Sequence, residues 1–151
     1  VYQKTRFPDT WEWQAKELTN NFVVDVEKTD ATNGIVALNI SLTNDVNNDR
    51  ILSVGEFEAI YRIKASTTGV DCIKSVEDLS AFWHTYQGVL DEILNKHGTG
   101  CQIHLFPAMP VSAAFEVGRR YMLNTHPSVT IFDENNGFFE TLKMGVNTDD
   151  R

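Results

Sequence analysis

Several clusters in this chain carry residue types that could do chemistry, and each can be weighed by its spacing. The stretch Asp45-Val46-Asn47-Asn48-Asp49-Arg50-Ile51-Leu52-Ser53-Val54-Gly55-Glu56 places oxygen side chains at its first, third, fifth and twelfth positions. That is the pattern of a calcium-binding EF-hand loop. Arg50 stands where such a loop needs glycine, and the flanks read as strands rather than helices, so the spacing is read as coincidence. His84, His97, His104, His126, Cys72 and Cys101 include no Cys-x-x-Cys or His-x-x-x-His pair, so no metal site is expected. Ser112 falls in the first turn of a helix that follows a strand, the place of a nucleophile elbow. The glycines of G-x-S-x-G are missing and no base is placed beside it. His104 alternates with Ile103 and Leu105, as a hydrogen-bonded structural histidine would. No G-x-G-x-x-G and no phosphate-cradling G-x-x-x-x-G-K-[ST] is present. No catalytic set and no cofactor are expected.

Two strand ends remain. Ser41-Leu42-Thr43-Asn44 offers hydroxyls and an amide that could hydrogen-bond a base or a phosphate. Phe106-Pro107-Ala108-Met109-Pro110 offers a flat apolar contact. In open α/β sheets, ligands sit at the carboxyl ends of strands near helix N-termini. Lys64, at a third strand end, is the cation best placed to reach an anion there, although most such lysines are merely solvated.

The elements that position these loops alternate between strand and helix patterns. Gly34 to Thr43 begins as a continuous apolar run and ends in alternation, which suits a strand buried on both faces. Phe22 to Val26, Glu58 to Ile63, Cys101 to Phe106, Ser128 to Phe132 and Phe138 to Met144 are further strand candidates. A helix is predicted from Val76 to Lys96, with Val76, Leu79, Trp83, Tyr86, Leu90 and Ile93 on one stripe. Ser75-Val76-Glu77-Asp78 approximates a capping box, and Gly98 suits the far end. A second helix is predicted after Pro110 to about Met122, with Val111, Ala114, Phe115, Gly118 and Met122 on one face and Gly118 close to the sheet. Asn44 to Asp49 reads as a turn. Together these predict an α/β domain built on a mostly parallel sheet flanked by helices.

With 151 residues, one domain is expected. A formal net charge of −8 argues against a sequence-independent grip on duplex nucleic acid, which depends on many cationic contacts. No stretch approaches a membrane span, and no basic-then-apolar leader opens the chain. It begins at Val1, as a processed chain or a domain cut from something longer would. Two cysteines far apart in sequence make no disulfide framework, so a reducing, cytoplasmic setting is expected. Residues 1–33, with Phe7, Trp11 and Trp13, are expected to form an irregular cover with one short strand. Residues 145–151 are expected to be a disordered tail.

Gln102-Ile103-His104-Leu105-Phe106-Pro107-Ala108-Met109-Pro110, continued by Ala113-Ala114-Phe115-Glu116-Val117-Gly118-Arg119, resembles the signature of SAVED domains. Ala37 to Val46 resembles their strand-and-loop ending in Ser or Thr, and Val129-Thr130-Ile131-Phe132 their closing strand. The resemblance runs from about Gly34 to Met144. It implies a CARF-like, Rossmann-like fold and a sensor rather than a catalyst, one that binds a cyclic oligonucleotide of CBASS or type III CRISPR anti-phage signalling. The implied ligand is a cyclic tri- or tetranucleotide containing adenine. The implied pocket comprises Ser41, Leu42, Thr43 and Asn44 with Phe106, Pro107, Ala108, Met109 and Pro110, the same two loops as above. A full SAVED domain has two CARF-like halves, and this chain matches the C-terminal one. The resemblance therefore implies a second half or an effector chain as partner, with ligand-driven oligomerisation. Two other readings stay open: a small α/β hydrolase or nucleotide-processing enzyme using Ser112 or His104, and an interaction module with no small ligand.

Overall fold

The computed structural model describes residues 12–145 and, in backbone alone, Thr5–Arg6 and Asp9–Thr10. Phe7, Trp11 and the expected tail beyond Gly145 lie outside the described residues. The elements are β1 (Thr5–Arg6), β2 (Asp9–Thr10), β3 (Phe22–Lys28), β4 (Ile35–Ser41), α1 (Asn48–Leu52), β5 (Ala59–Ala65), α2 (Val76–His97), β6 (Gln102–Ala108), α3 (Val111–Arg119), β7 (Ser128–Glu134) and β8 (Phe138–Met144). β1 and β2 pair with each other. The other six strands form one sheet in the order β3-β5-β4-β6-β7-β8.

The four central strands run parallel, whereas β3 and β8 lie antiparallel along the two edges. The parallel core agrees with the expected mostly parallel sheet, and the two antiparallel edges make it mixed. The reason at one edge is local. β7 and β8 are joined by Asn135-Asn136-Gly137, where Asn136 and Gly137 take positive φ of 58° and 123°. Such a tight reversal returns the chain beside itself in the opposite direction.

Period-two alternation sorts the strand residues onto two faces. Val36, Leu38 and Ile40 of β4, Tyr61 and Ile63 of β5, and Ile103 and Leu105 of β6 pack under α2 and α3. Ala37, Ile60 and Phe106 face the other way, toward Val46, Ile51 of α1 and Phe57. Right-handed crossovers require this arrangement. The chain leaves β4 toward one side to reach β5, then travels back past β4 to reach β6 and β7. Its helices must therefore lie on opposite faces.

The α2 stripe is buried as predicted at Leu79, Tyr86, Leu90 and Ile93, joined by Phe82 and Val89, while Val76 is exposed. Ser75 caps the helix by accepting from the Asp78 amide (3.0 Å), and Gly98 ends it at φ 82°. Asp78 does not close a reciprocal box. Its buried carboxylate accepts from the amides of Thr19 (2.6 Å), Asn20 (3.1 Å) and Lys74 (2.9 Å) and from the Thr19 hydroxyl. The segment before β3 is thereby tied to the start of α2.

α3 ends at Arg119, short of the predicted Met122. The Met122 amide donates to His126 Nδ1 (3.2 Å) instead of continuing the helical ladder. Its buried face is Ser112, Ala113, Glu116 and Val117, so Val111 and Phe115 are exposed, contrary to the predicted stripe. A Cβ at Gly118 would meet nothing within 4 Å, so no close approach to the sheet depends on it. β6 continues through Pro107 to Ala108, and the predicted turn at 44–49 ends in the short helix α1. Among the described residues no helix is long and apolar enough to cross a membrane.

Three carboxylates are held below their ordinary range. The His97 imidazole lowers Glu58 and the Arg119 guanidinium lowers Glu116. Burial opposes the shift at Asp78, but hydrogen bonds from Thr19, Lys74 and Asn20 outweigh it. Depressed folded values stabilise the protein above the unfolded carboxyl range and lose that contribution as pH falls through the folded values. The urea midpoint is expected to fall as pH is lowered from 7 toward 3. Asp78→Asn should cost about 2–3 kcal/mol at pH 7 and flatten that pH dependence.

Candidate functional site

At the carboxyl edge of the sheet β4 and β6 lie side by side, Ser41 opposite Ala108, and then part. The chain after β4 turns to the α1 face and the chain after β6 turns to α3 on the other. Neighbouring strands whose connections leave in opposite directions open a crevice between them, the topological switch point of an α/β sheet. The two loops are bonded at their base. The amides of Leu42 and Thr43 both donate to the Ala108 carbonyl, at 2.8 and 2.9 Å.

A second parting lies one strand over. Gln102 and Ala108 direct their backbone groups toward β4 and its flanks, so the odd-numbered residues of β6 face β7. Pairing with β7 stops at Leu105 opposite Ile131. The next β6 amide that would have pointed at β7 belongs to Pro107, which has no N–H. A register shift at Ile131/Phe132 accompanies the break. Between the separated ends lies a cavity of about 260 Å³, lined by Asn44, Asp45, Val46, Arg50, Phe106, Pro107, Ala108, Phe132, Asp133, Glu134 and Phe138.

The sequence-predicted residues divide into framework and rim. Ser41 is fully buried; its hydroxyl donates to Asn39 Oδ1 (2.8 Å) and accepts from the Val46 amide (3.0 Å). Asn39 in turn donates to the Val46 carbonyl (2.8 Å) and to Asn48 Oδ1 (3.0 Å). This network folds the loop back on β4, and the Ser41 side chain is spent on it. Leu42 is in the core, and Pro110 is buried as the N-cap of α3. Phe106 is buried, stacked on Phe132 with centroids 4.7 Å apart and met edge-on by Phe138 at 5.0 Å. Thr43, Pro107, Ala108 and Met109 are partly exposed and Asn44 is exposed. Met109 packs toward the α2 face, away from the cavity.

Charge at the rim is already paired. Lys64 Nζ lies 2.9 Å from Asp45 Oδ2, and Arg62 pairs with the other oxygen of the same carboxylate. Arg50 pairs with Glu134 and sits 5.0 Å from the Phe138 ring centroid. Asn47 caps α1 by accepting from the Asp49 amide (2.9 Å). The first and third oxygen positions of the EF-hand-like stretch, Asp45 and Asn47, are thus spent on ion pairs and a cap. Among the described residues no group of three or more His, Cys, Asp or Glu is placed to hold a metal.

Of the lining residues, Asp45, Val46, Arg50, Phe132, Asp133, Glu134 and Phe138 were missed from sequence, as was Arg62 beside Asp45. The hairpin signal at Asn136-Gly137 was the one cue that could have brought Phe138 back beside Phe132 and Phe106. α3 has neither a capping side chain at Pro110 nor an acidic residue in its first turn. The catalytic candidates are placed differently. Ser112 is fully buried. The His104 ring is packed against Phe57 and Phe132, at 5.6 and 5.1 Å, and burial pushes its pKa down. Cys72 and Cys101 are buried free thiols, and burial raises Cys72 to about 11. A larger crevice of about 510 Å³ opens at the amino edge, lined by Thr99 to Gln102, Leu123 to His126 and neighbours. It contains none of the residues predicted to bind.

A family model described as the SMODS-associated and fused to various effectors sensor domain (SAVED) matches residues 1–144. No curated protein matches the chain. Among solved structures, the Acinetobacter baumannii Cap4 SAVED/CARF-domain receptor with the cyclic trinucleotide 2'3'3'-cAAA is similar at a TM-score of 0.66 and 16% identity, over 86% of this chain and 28% of that one. A second structure of that receptor gives 0.56 and 17% over 82% and 25%. At these identities the likeness establishes the fold. The chain spans about a quarter of the length of the receptors it matches.

The division into framework and rim can be read from stability alone. Ser41→Ala should cost about 1–2 kcal/mol in urea unfolding, because it strands the Val46 amide and an Asn39 acceptor. Thr43→Val, at the rim, should stay within about 0.5 kcal/mol of the parent.

Proposed function

Because the chain belongs to the SAVED sensor-domain family, we propose that it binds a cyclic oligonucleotide second messenger of anti-phage signalling at the carboxyl edge of its sheet. What carries this reading is the joining of the β4 and β6 loops at the switch point, beside a cavity with an aromatic floor and Arg50 in its lining. Phe132 and Phe138, both partly exposed, offer ring surface to a base, as aromatic side chains do for unpaired bases. Arg50 in the cavity lining, and Arg62 and Lys64 held on the lining residue Asp45, offer hydrogen bonds and charge to phosphates. The Cap4 receptor structure contains 2'3'3'-cAAA; a cyclic tri- or tetranucleotide containing adenine is the ligand proposed for this chain.

In this reading the chain binds without turnover. The burial of Ser112 and the packing of the His104 ring between Phe57 and Phe132 support this, and effector activity would lie in another domain or chain. Val111 and Phe115, 71% and 49% exposed along α3, would be covered by a second SAVED/CARF-like half, in keeping with a chain about a quarter as long as the receptors it matches. Ligand spanning both halves would drive assembly.

A thermal-shift screen against cyclic di-, tri- and tetranucleotides tests the reading. A ligand at roughly 100 times its Kd should add about 2.7 kcal/mol of stability. Asn44→Glu, an exposed rim change, should remove the shift while leaving the unliganded melting temperature unchanged. An absence of shift from every member, in this chain and in a longer parent protein, would contradict the proposal.

A further inference from the structure

We infer that Asp45 is an internal counter-anion, holding Arg62 and Lys64 masked at the edge of the cleft until a ligand phosphate takes its place. The inference rests on the proposed reading of the cleft and adds how that site is kept closed to weaker anions. Arg62 and Lys64 stand two residues apart on β5, so both project from the α1 face. Both converge on one carboxylate in the loop after β4, which itself lines the cavity.

The fit is incomplete in an informative way. Arg62 is the sequestered partner, its side chain 19% exposed against 39% for Lys64 and 50% for Asp45. Its Nε is buried and has no hydrogen-bond partner. Guanidinium has a fixed fork of donors, and a single carboxylate shared with a lysine leaves one of them unmet. A phosphate has enough oxygens to take the Arg62 fork and the Lys64 ammonium together. Asp45 is half exposed, and ion pairs at that exposure contribute little, so its displacement is easy. Arg50, which lines the cavity, is balanced in the same manner by Glu134. In a chain of net charge −8 this arrangement keeps the cations positioned without leaving them open to every small anion.

The test compares the parent with Asp45→Asn and Asp45→Ser, each also in an Arg62→Lys background, all checked for unchanged melting. Two probes are titrated by calorimetry at two salt concentrations: inorganic tripolyphosphate and 2'3'3'-cAAA. Removing the counter-anion should tighten tripolyphosphate by about five- to tenfold, with a steeper salt dependence. Arg62→Lys, which loses the fork but keeps the charge, should erase most of that gain. Tighter tripolyphosphate with no cAAA binding in any variant would uphold the masking and overturn 2'3'3'-cAAA as the ligand of this chain. Binding of cAAA to the parent, with no gain for either probe in either Asp45 variant, would overturn the masking and leave the sensor reading standing. Weaker binding in both Asp45 variants would show that Asp45 supports the loop instead, and binding of neither probe to any variant would overturn the masking.

Discussion

The Ala108 carbonyl accepts two amides, those of Leu42 and Thr43, and the carboxyl edge of the sheet is organised around that shared contact. It binds two chain segments that are about to leave in opposite directions, one to α1 and one to α3. Without it each loop would be free to move alone, and no fixed surface would exist between them. One residue earlier Pro107 withholds the amide that would have carried β6 onward along β7. Attachment on one side and release on the other produce the cleft. Both follow from backbone chemistry within a few residues of β6, supported by a core that holds β4 and β6 in register along their whole length.

To receive an anion as proposed, an acidic chain would have to solve a local problem against its own field. The long-range potential is unfavourable, so the attraction has to come from groups within a few ångströms. Arg50, Arg62 and Lys64 contribute full charges, each balanced by Glu134 or Asp45 in the unliganded protein. Balanced pairs also keep the side chains ordered, which limits the entropy that binding must overcome.

Much of this architecture was legible in the residues, and the gaps have physical causes. The apolar run of β4 and the capped, striped helix α2 carry strong local signals, and both formed close to their predicted bounds. The His-Leu-Phe to Gly-Arg block pointed to the SAVED family, and the family match extends further toward the amino terminus than that resemblance did. The edge strands were visible as strands but not as antiparallel, because direction is decided by partners distant in sequence. The α3 stripe misled: Val111 and Phe115 look like core residues, yet Glu116 is buried in their stead, held by Arg119 and Arg120. Within the site the two loops were found, but the roles of their side chains were not. Burial of Ser41 and Phe106, and the commitment of Lys64 to Asp45, depend on neighbours contributed by other elements.

The central claim is that ligand meets this protein where β4 and β6 diverge. Amide chemical-shift mapping of the isotope-labelled chain during titration with 2'3'3'-cAAA tests it most directly. The account predicts that the largest changes fall on residues 42–46 and 108–113, with smaller ones at Phe132 and Phe138. Changes centred on Thr99 to Gln102 and Leu123 to His126, at the opposite edge, would contradict it.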